Sequence, residues 1–135
     1  MNSAASAADA VLEPPPAFFV PLIDEYVDLL RHHKRYSPHT CDATRRDLLA
    51  FGGYCAQARI TALTQIDLHV VRAFVARRHR DGNQPSSLQR YLSTLRSFFR
   101  HQLREDRIIA NPAQTVRAPK LRRKLPGVIG ADGLN

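Results

Sequence analysis

The 135-residue sequence has no tryptophan, one methionine and two cysteines, Cys41 and Cys55. Carried on one helix, those cysteines would sit about 21 Å apart, far beyond the roughly 7 Å that a disulfide spans. They are therefore expected to be buried free thiols, as in a reducing cytoplasm. No C-x-x-C or H-x-x-x-H pair occurs, so neither a metal site nor a metal cofactor is expected. No apolar run reaches membrane-spanning length, and the first thirty residues contain neither lysine nor arginine. That start matches neither a secretory signal nor a transit peptide, and the chain is expected to be cytoplasmic with no membrane partner. Walker, G-x-G-x-x-G and G-x-S-x-G patterns are missing, and the six histidines show no spacing that implies a shared ligand or triad. No catalytic residue, cofactor or small-molecule substrate is expected. Acidic residues are also scarce where they would matter. All 20 basic residues lie between Arg31 and Lys124, against six acids, so that stretch carries 20 − 6 = +14. A folded region this basic points to a polyanion.

What is present is helical. In residues 86–104, Leu88, Tyr91, Leu92, Leu95, Phe98, Phe99 and Leu103 recur at steps of three and four, one face of an α-helix. The opposite face collects Gln89, Arg90, Ser93, Ser97, Arg100 and Arg104, with Arg96 on the border and no carboxylate before Glu105. An ordinary solvated helix mixes both charge signs. Arginines and small hydroxyls alone suit a surface of phosphates.

The rest of the chain reads as more helices. Residues 1–16 are expected to form a disordered tail ending in Pro14-Pro15-Pro16. A helix is predicted from about Ala17 to His33 on the stripe Phe19, Leu22, Ile23, Tyr26, Leu29 and Leu30. Ser37-Pro38 marks the N-cap and first turn of a second helix, to about Ala58, with Cys41, Thr44, Leu48, Phe51 and Cys55 on one side and His39, Asp42 and Arg46 on the other. Gly52-Gly53 inside it predicts a kink, close packing or an early stop. Thr64-Gln-Ile-Asp67 resembles a capping box for a third helix, to about Arg80, with Val70, Val71, Phe74 and Val75 inward and a glycine stop at Gly82. Ser86 or Ser87 is expected to cap the fourth. Asn111-Pro112 predicts a last short helix, to about Val116. No β alternation is convincing. The fold class is all-α: a compact bundle of four main helices plus a short C-terminal helix, with a core-binding domain over 17–118 and a basic linker over 119–135.

Taken in order, Ser37-Pro38-His-Thr40, Arg46-Asp47-Leu48, Phe51, Ser87-Leu88, Leu92-Ser93, Leu95-Arg96-Ser97-Phe98-Phe99, Asn111-Pro112-Ala113, Ala118-Pro119-Lys120 and Leu125-Pro126 resemble the N-terminal half of Xer-type tyrosine recombinases, with the closest likeness to the XerC branch. Thr44 departs from the pattern, which usually has an aromatic residue there. The resemblance implies a SAM-like core-binding domain that forms one jaw of a clamp on double-stranded DNA, with the second and fourth helices facing the major groove. It also implies a linker toward a catalytic domain that is absent from these residues, and a second related recombinase subunit in a synaptic tetramer. The implied roles are chromosome dimer resolution or, as an alternative, mobile-element integration.

The candidate DNA contacts are Ser37, His39, Thr40, Arg45 and Arg46 at the start of the second helix, where free backbone N–H groups attract phosphate. On the fourth helix they are Ser86, Ser87, Arg90, Ser93, Arg96, Ser97, Arg100 and Arg104. Lys120, Arg122, Arg123 and Lys124 form a basic strap. Arg90 and Arg100 are expected to be exposed, so that alanine at either leaves stability within about 0.5 kcal/mol. A helical module binding an acidic protein is the competing reading. An RNA-binding bundle ranks below both, because no exposed aromatic platform for stacking bases is evident.

Overall fold

The computed structural model describes residues 13–119, and among them every regular element is helical. Four α-helices follow in order: α1 (Phe19–His32), α2 (Pro38–Gln57), α3 (Leu68–Arg80) and α4 (Pro85–Arg104), with a single 3-10 turn at Leu63–Gln65 before α3. α1 packs on α2, and α4 packs on both α2 and α3.

The starts of these helices follow side-chain chemistry. Ser37 Oγ accepts a hydrogen bond from the Thr40 backbone N–H at 3.1 Å, and Pro38 fills the first turn, so the predicted α2 cap is present. α3 begins three residues later than the capping-box reading placed it. Its cap is Asp67 itself, whose Oδ1 accepts from the Val70 N–H at 3.0 Å, while Thr64 belongs to the preceding 3-10 turn. α4 is capped by neither Ser86 nor Ser87. It starts at Pro85 behind Gln84, which leaves both serines inside the first turn.

All four helix ends lead into a left-handed residue, the first at Arg35 (φ 58°), and three of them share one closing bond. After α2, α3 and α4 the chain enters the left-handed region at Arg59, Gly82 and Asp106, with φ of 63°, 94° and 58°. In each case a paired backbone bond closes the last turn: Ile60 N–H to Cys55 O, Asn83 N–H to Arg78 O, and Arg107 N–H to Gln102 O. Only Gly82 adopts this conformation freely; the arginines and the aspartate pay a steric penalty of about 1 kcal/mol.

The core is a chain of aromatic rings. Phe19 meets Phe98 edge-on at 5.4 Å, Phe51 meets Phe74 at 5.1 Å and Phe98 meets Phe99 at 5.1 Å. Such contacts favour defined angles as well as burial. Leu48, Leu88, Leu92 and Leu95 fill the space between, and Cys41 and Cys55 are buried free thiols. Burial pushes the Cys55 thiol up to about 12, which keeps it protonated and inert. On α4 the stripe departs from expectation at one place: Leu103 is exposed and Gln102 is fully buried instead.

Gly52 and Gly53 do not stop α2, which runs on to Gln57. They let another segment in. A Cβ on Gly52 would lie 2.6 Å from Pro15 Cβ and 2.9 Å from Phe19 Cδ2, and one on Gly53 would lie 2.8 Å from the Glu13 carbonyl oxygen. The boundary drawn at residue 16 therefore falls inside packed chain.

Residues 111–116 form turns and bends rather than the expected short helix. Asn111 Oδ1 accepts from the Ala113 N–H at 3.0 Å, closing an Asx turn that competes with helix. Arg96 then fixes the segment, donating through Nε to Ala113 O at 3.2 Å and through Nη2 to Val116 O at 2.6 Å. Upstream, Arg107 grips Glu25 of α1 with two parallel bonds of 2.7 and 2.8 Å, and His101 Nε2 lies 2.8 Å from the same carboxylate.

Arg107 first, and His101 second, hold the Glu25 carboxyl at about 2, below its ordinary 4.5. A depressed carboxylate stabilises the fold above its unfolded value and loses that contribution as pH falls toward the folded one. Between pH 4.5 and about 2 the wild type should therefore lose stability that Glu25→Gln never had. Chemical denaturation across that window should show a flatter acid limb for the variant.

The glycine pair makes a second test. Gly53→Ala should destabilise the full chain by about 1 kcal/mol, because overpacking against backbone outweighs the gain in helix propensity. In a chain lacking residues 1–16 the same substitution should become stabilising by roughly the helix-propensity difference, about 1 kcal/mol. Urea midpoints of the four proteins would show the change of sign.

Candidate nucleic-acid interface

The outer stripe of α4 is as the periodicity predicts. Ser86, Arg90, Ser93, Arg100 and Arg104 are exposed and Ser97 is half-buried, at steps of four and three along one line. From Ser86 to Arg104 that line is about 27 Å long at 1.5 Å per residue. α2 flanks its first half, because Asp47 of α2 bonds to Arg90 and Thr94. Toward the other end lies Tyr26 of α1. Burial, the largest influence on Tyr26, raises its hydroxyl above the ordinary value, while Ser97, Arg100 and Arg104 each act to lower it.

Individual residues differ in what they can offer. Arg46, Arg100 and Arg104 are exposed and form no ion pair among the described residues, so their charges are uncompensated. His39 and Thr40 are exposed at the α2 start, where Ser37 already spends its oxygen on the Thr40 N–H and lies 3.0 Å from the Thr40 hydroxyl. Arg45 donates to Asp24 of α1 at 2.7 Å, a partner that sequence spacing alone did not suggest. Arg96 does not face outward. Its donors hold the carbonyls of Ala113 and Val116, so its role is to fasten the chain after α4. Ser87 is half-buried. Lys120, Arg122, Arg123 and Lys124 lie outside the described residues.

Arg90 is the largest departure. It was expected to be a free exposed cation, yet its Nε donates to Asp47 Oδ2 at 3.1 Å and its Nη2 to Asp47 Oδ1 at 3.0 Å. The Asp47 side chain is only 7% exposed, against 51% for Arg90. Thr94 Oγ1 donates to Oδ2 as well, at 3.1 Å. The Arg90 guanidinium also lies 5.0 Å from the Tyr91 ring centroid, and the Tyr91 hydroxyl accepts from Arg78 Nη2 at 3.1 Å. The bond to Asp47 is the main reason the Arg90 pKa rises further above its ordinary value. Sequence reasoning missed Asp47 as a site residue. Its signal was available: position 47 lies three after Thr44 and four before Phe51, on the apolar side of α2, where an acid needs a buried partner.

A further basic face also escaped notice. On α3, His69, Arg72, His79 and Arg80 are exposed, and the helix contains no acidic residue.

A groove of about 490 Å3 runs between the start of α3 and the segment after α4, lined by Ile66, Leu68, Ile108, Ile109 and Pro112 among others. It holds none of the predicted contact residues. The exposed ones on α2 and α4 sit on outer helix faces, the shape that enters a groove in a larger partner and not the shape that encloses a small molecule.

The family described as phage integrase, N-terminal SAM-like domain, matches residues 23–106. This chain belongs to that family. The match begins within α1 and ends just after α4, so the SAM-like domain comprises the four helices whose outer faces carry the basic residues.

Among similar curated proteins is the tyrosine recombinase XerC of Xanthomonas campestris pv. campestris (strain B100), 41% identical over 110 residues, covering 82% of this chain and 34% of the relative. XerC of Pseudomonas syringae pv. tomato (strain ATCC BAA-871 / DC3000) is 37% identical, covering 82% of this chain and 37% of its own length. XerC of Xylella fastidiosa (strain 9a5c) is 39% identical over 111 residues, covering 82% and 38%. The chain thus spans between a third and two fifths of the length of these relatives. No solved structure matches.

The arginines of this SAM-like domain should separate cleanly on replacement. Arg90→Ala should cost about 2 kcal/mol, because it strands a buried carboxylate without its charged partner. Arg100→Ala should stay within about 0.5 kcal/mol, as an exposed unpaired position does. Thermal or urea denaturation of the two variants measures both.

Proposed function

We propose that this chain is a DNA-binding module of a site-specific tyrosine recombinase, gripping duplex DNA as half of a clamp. The observation that carries the reading is the α4 stripe from Ser86 to Arg104, basic and hydroxylic without a carboxylate, lying beside the Arg46 face of α2. Arg46, Arg100 and Arg104 bring uncompensated charge toward phosphates. Ser86, Ser93 and Thr40 offer hydroxyls, and the α2 N-terminus adds its dipole. The residues over 120–124 would extend the same electrostatic track. The names of the similar proteins support the recombinase context. Chromosome dimer resolution is the role favoured by the likeness to XerC; a mobile-element integrase is the alternative within the same chemistry. A second recombinase subunit would complete the assembly, and the cytoplasm is the compartment where such DNA is found. No described helix is long and apolar enough to cross a membrane.

An acidic protein partner would meet the same charges. The hydroxyl-arginine alternation over about 27 Å favours DNA, because a duplex repeats its phosphates along a line of that scale.

A fluorescence-anisotropy titration against duplex DNA should give log affinity falling linearly with log salt, as counterion release requires. A flat dependence would sink the reading, and a pull-down surviving nuclease treatment would favour the protein partner. Residues 1–135 alone should neither cut nor join DNA. A covalent adduct on a nicked suicide duplex would overturn that expectation.

A further inference from the structure

Arg90 sits in the middle of the α4 stripe, yet its charge is already met. Asp47 takes the Nε–H and one Nη2–H, Thr94 donates to the same Oδ2 that the Nε–H meets, and the Tyr91 ring forms a floor beneath the guanidinium. Tyr91 is itself held through its hydroxyl by Arg78. An arginine has five N–H donors. Three therefore remain on Arg90, and two of these, one on Nη1 and one on Nη2, run parallel along the edge adjacent to the carboxylate. The side chain is half exposed while its anchor is buried, so the free edge is the part that meets solvent.

We propose that Asp47 is a positioning residue that turns Arg90 into a fixed two-pronged reader of a guanine edge, while Arg46, Arg100 and Arg104 act as phosphate anchors. The inference rests on the DNA-binding reading above. Two physical points separate the roles. First, a guanidinium paired with a carboxylate is nearly neutral, so it displaces few counterions and adds little to phosphate attraction. What it keeps is direction, and a rigid pair of donors matches guanine O6 and N7. Second, its rotamers are already ordered in the free protein, which removes most of the entropy cost of placing a long side chain against a base. The unpaired arginines have the opposite character, with full charge and free rotamers.

The experiment is binding-site selection from a randomised duplex pool, run beside salt titrations on one mixed-sequence duplex. The wild type should enrich guanine at a defined position. Arg90→Ala and Arg90→Lys should abolish that enrichment, a change of about tenfold in discrimination. Neither should change the salt slope, whereas Arg46→Ala should lower the slope by about one. Asp47→Asn should also lose the guanine preference while binding the mixed duplex no more weakly, since it raises the net charge. Guanine enrichment that survives Arg90→Ala, or a salt slope that falls by about one in that variant, would make Arg90 a phosphate anchor and overturn the proposal. Should the Asp47 variant not fold, nitrogen-15 NMR of the free wild type decides. A slowly exchanging Arg90 Nε–H supports the fixed fork, and a rapidly exchanging one refutes it. A wild type that binds with a full salt slope but selects no guanine removes this inference alone. A wild type that retains no DNA at any salt removes the DNA reading as well.

Discussion

The Asp47 carboxylate is the constraint on which the arrangement turns. It is a nearly buried charge on the apolar side of α2, and burying it would be prohibitive without a partner. The partner must come from α4, at a place where two donors and a hydroxyl converge. That requirement sets the rotation of α4 against α2: turn α4 by one residue and Arg90 and Thr94 leave the carboxylate together. The aromatic core beneath tolerates small slides, since Phe51, Phe74, Phe98 and Phe99 are all apolar. The carboxylate does not. It thus specifies which face of α4 the core keeps and which face the solvent receives. Whether that specificity exceeds what an apolar replacement would supply in stability is a separate matter, because buried pairs often return little net free energy.

Much of the fold was legible because it is amphipathic and punctuated. The α4 stripe, the Ser37-Pro38 start and the Gly82 stop each carry a local signal that tertiary structure did not override. The misses have physical reasons. Arg59 and Asp106 end helices in a left-handed turn that glycine would advertise and they do not. Asp67 capped α3 in place of Thr64 because one carboxylate can satisfy the first-turn N–H without a reciprocal partner. The Asn111 Asx turn imitated a helix start. The glycine pair signalled close approach, but not which segment would approach. Site residues were harder still. Charge and exposure on a helix can be read from periodicity, whereas pairing across 43 positions, as between Asp47 and Arg90, depends on the packing of two helices. Arg90 looked equivalent to Arg100 in sequence and Arg96 lay on the border of the face, and the structure gives the three different work.

That division bears on how a SAM-like domain of this family can carry a basic face without losing its shape. Cations crowded on one face repel, and a domain of this size has little core to spare against that repulsion. Here the repulsion is relieved selectively. Glu25 neutralises Arg107, Asp24 meets Arg45 and Asp47 meets Arg90. These acids of α1 and α2 therefore balance the interior edges of the basic surface and leave its outer line charged. The outward arginines keep uncompensated charge because the neighbouring acids are engaged elsewhere.

The clasp at Arg96 has a mechanical consequence. Its guanidinium holds two carbonyls, at Ala113 and Val116, while the Asn111 amide donates to the Arg96 carbonyl from the other side. A pull on the chain at Pro119 is therefore transmitted into the middle of α4 through a short lever, before it reaches Ile108 or the end of the helix. Force applied there would tilt the four helices as a body instead of unzipping the last turn. The segment after α4 is thus fastened to the body of the domain at Arg96, ahead of the helix end.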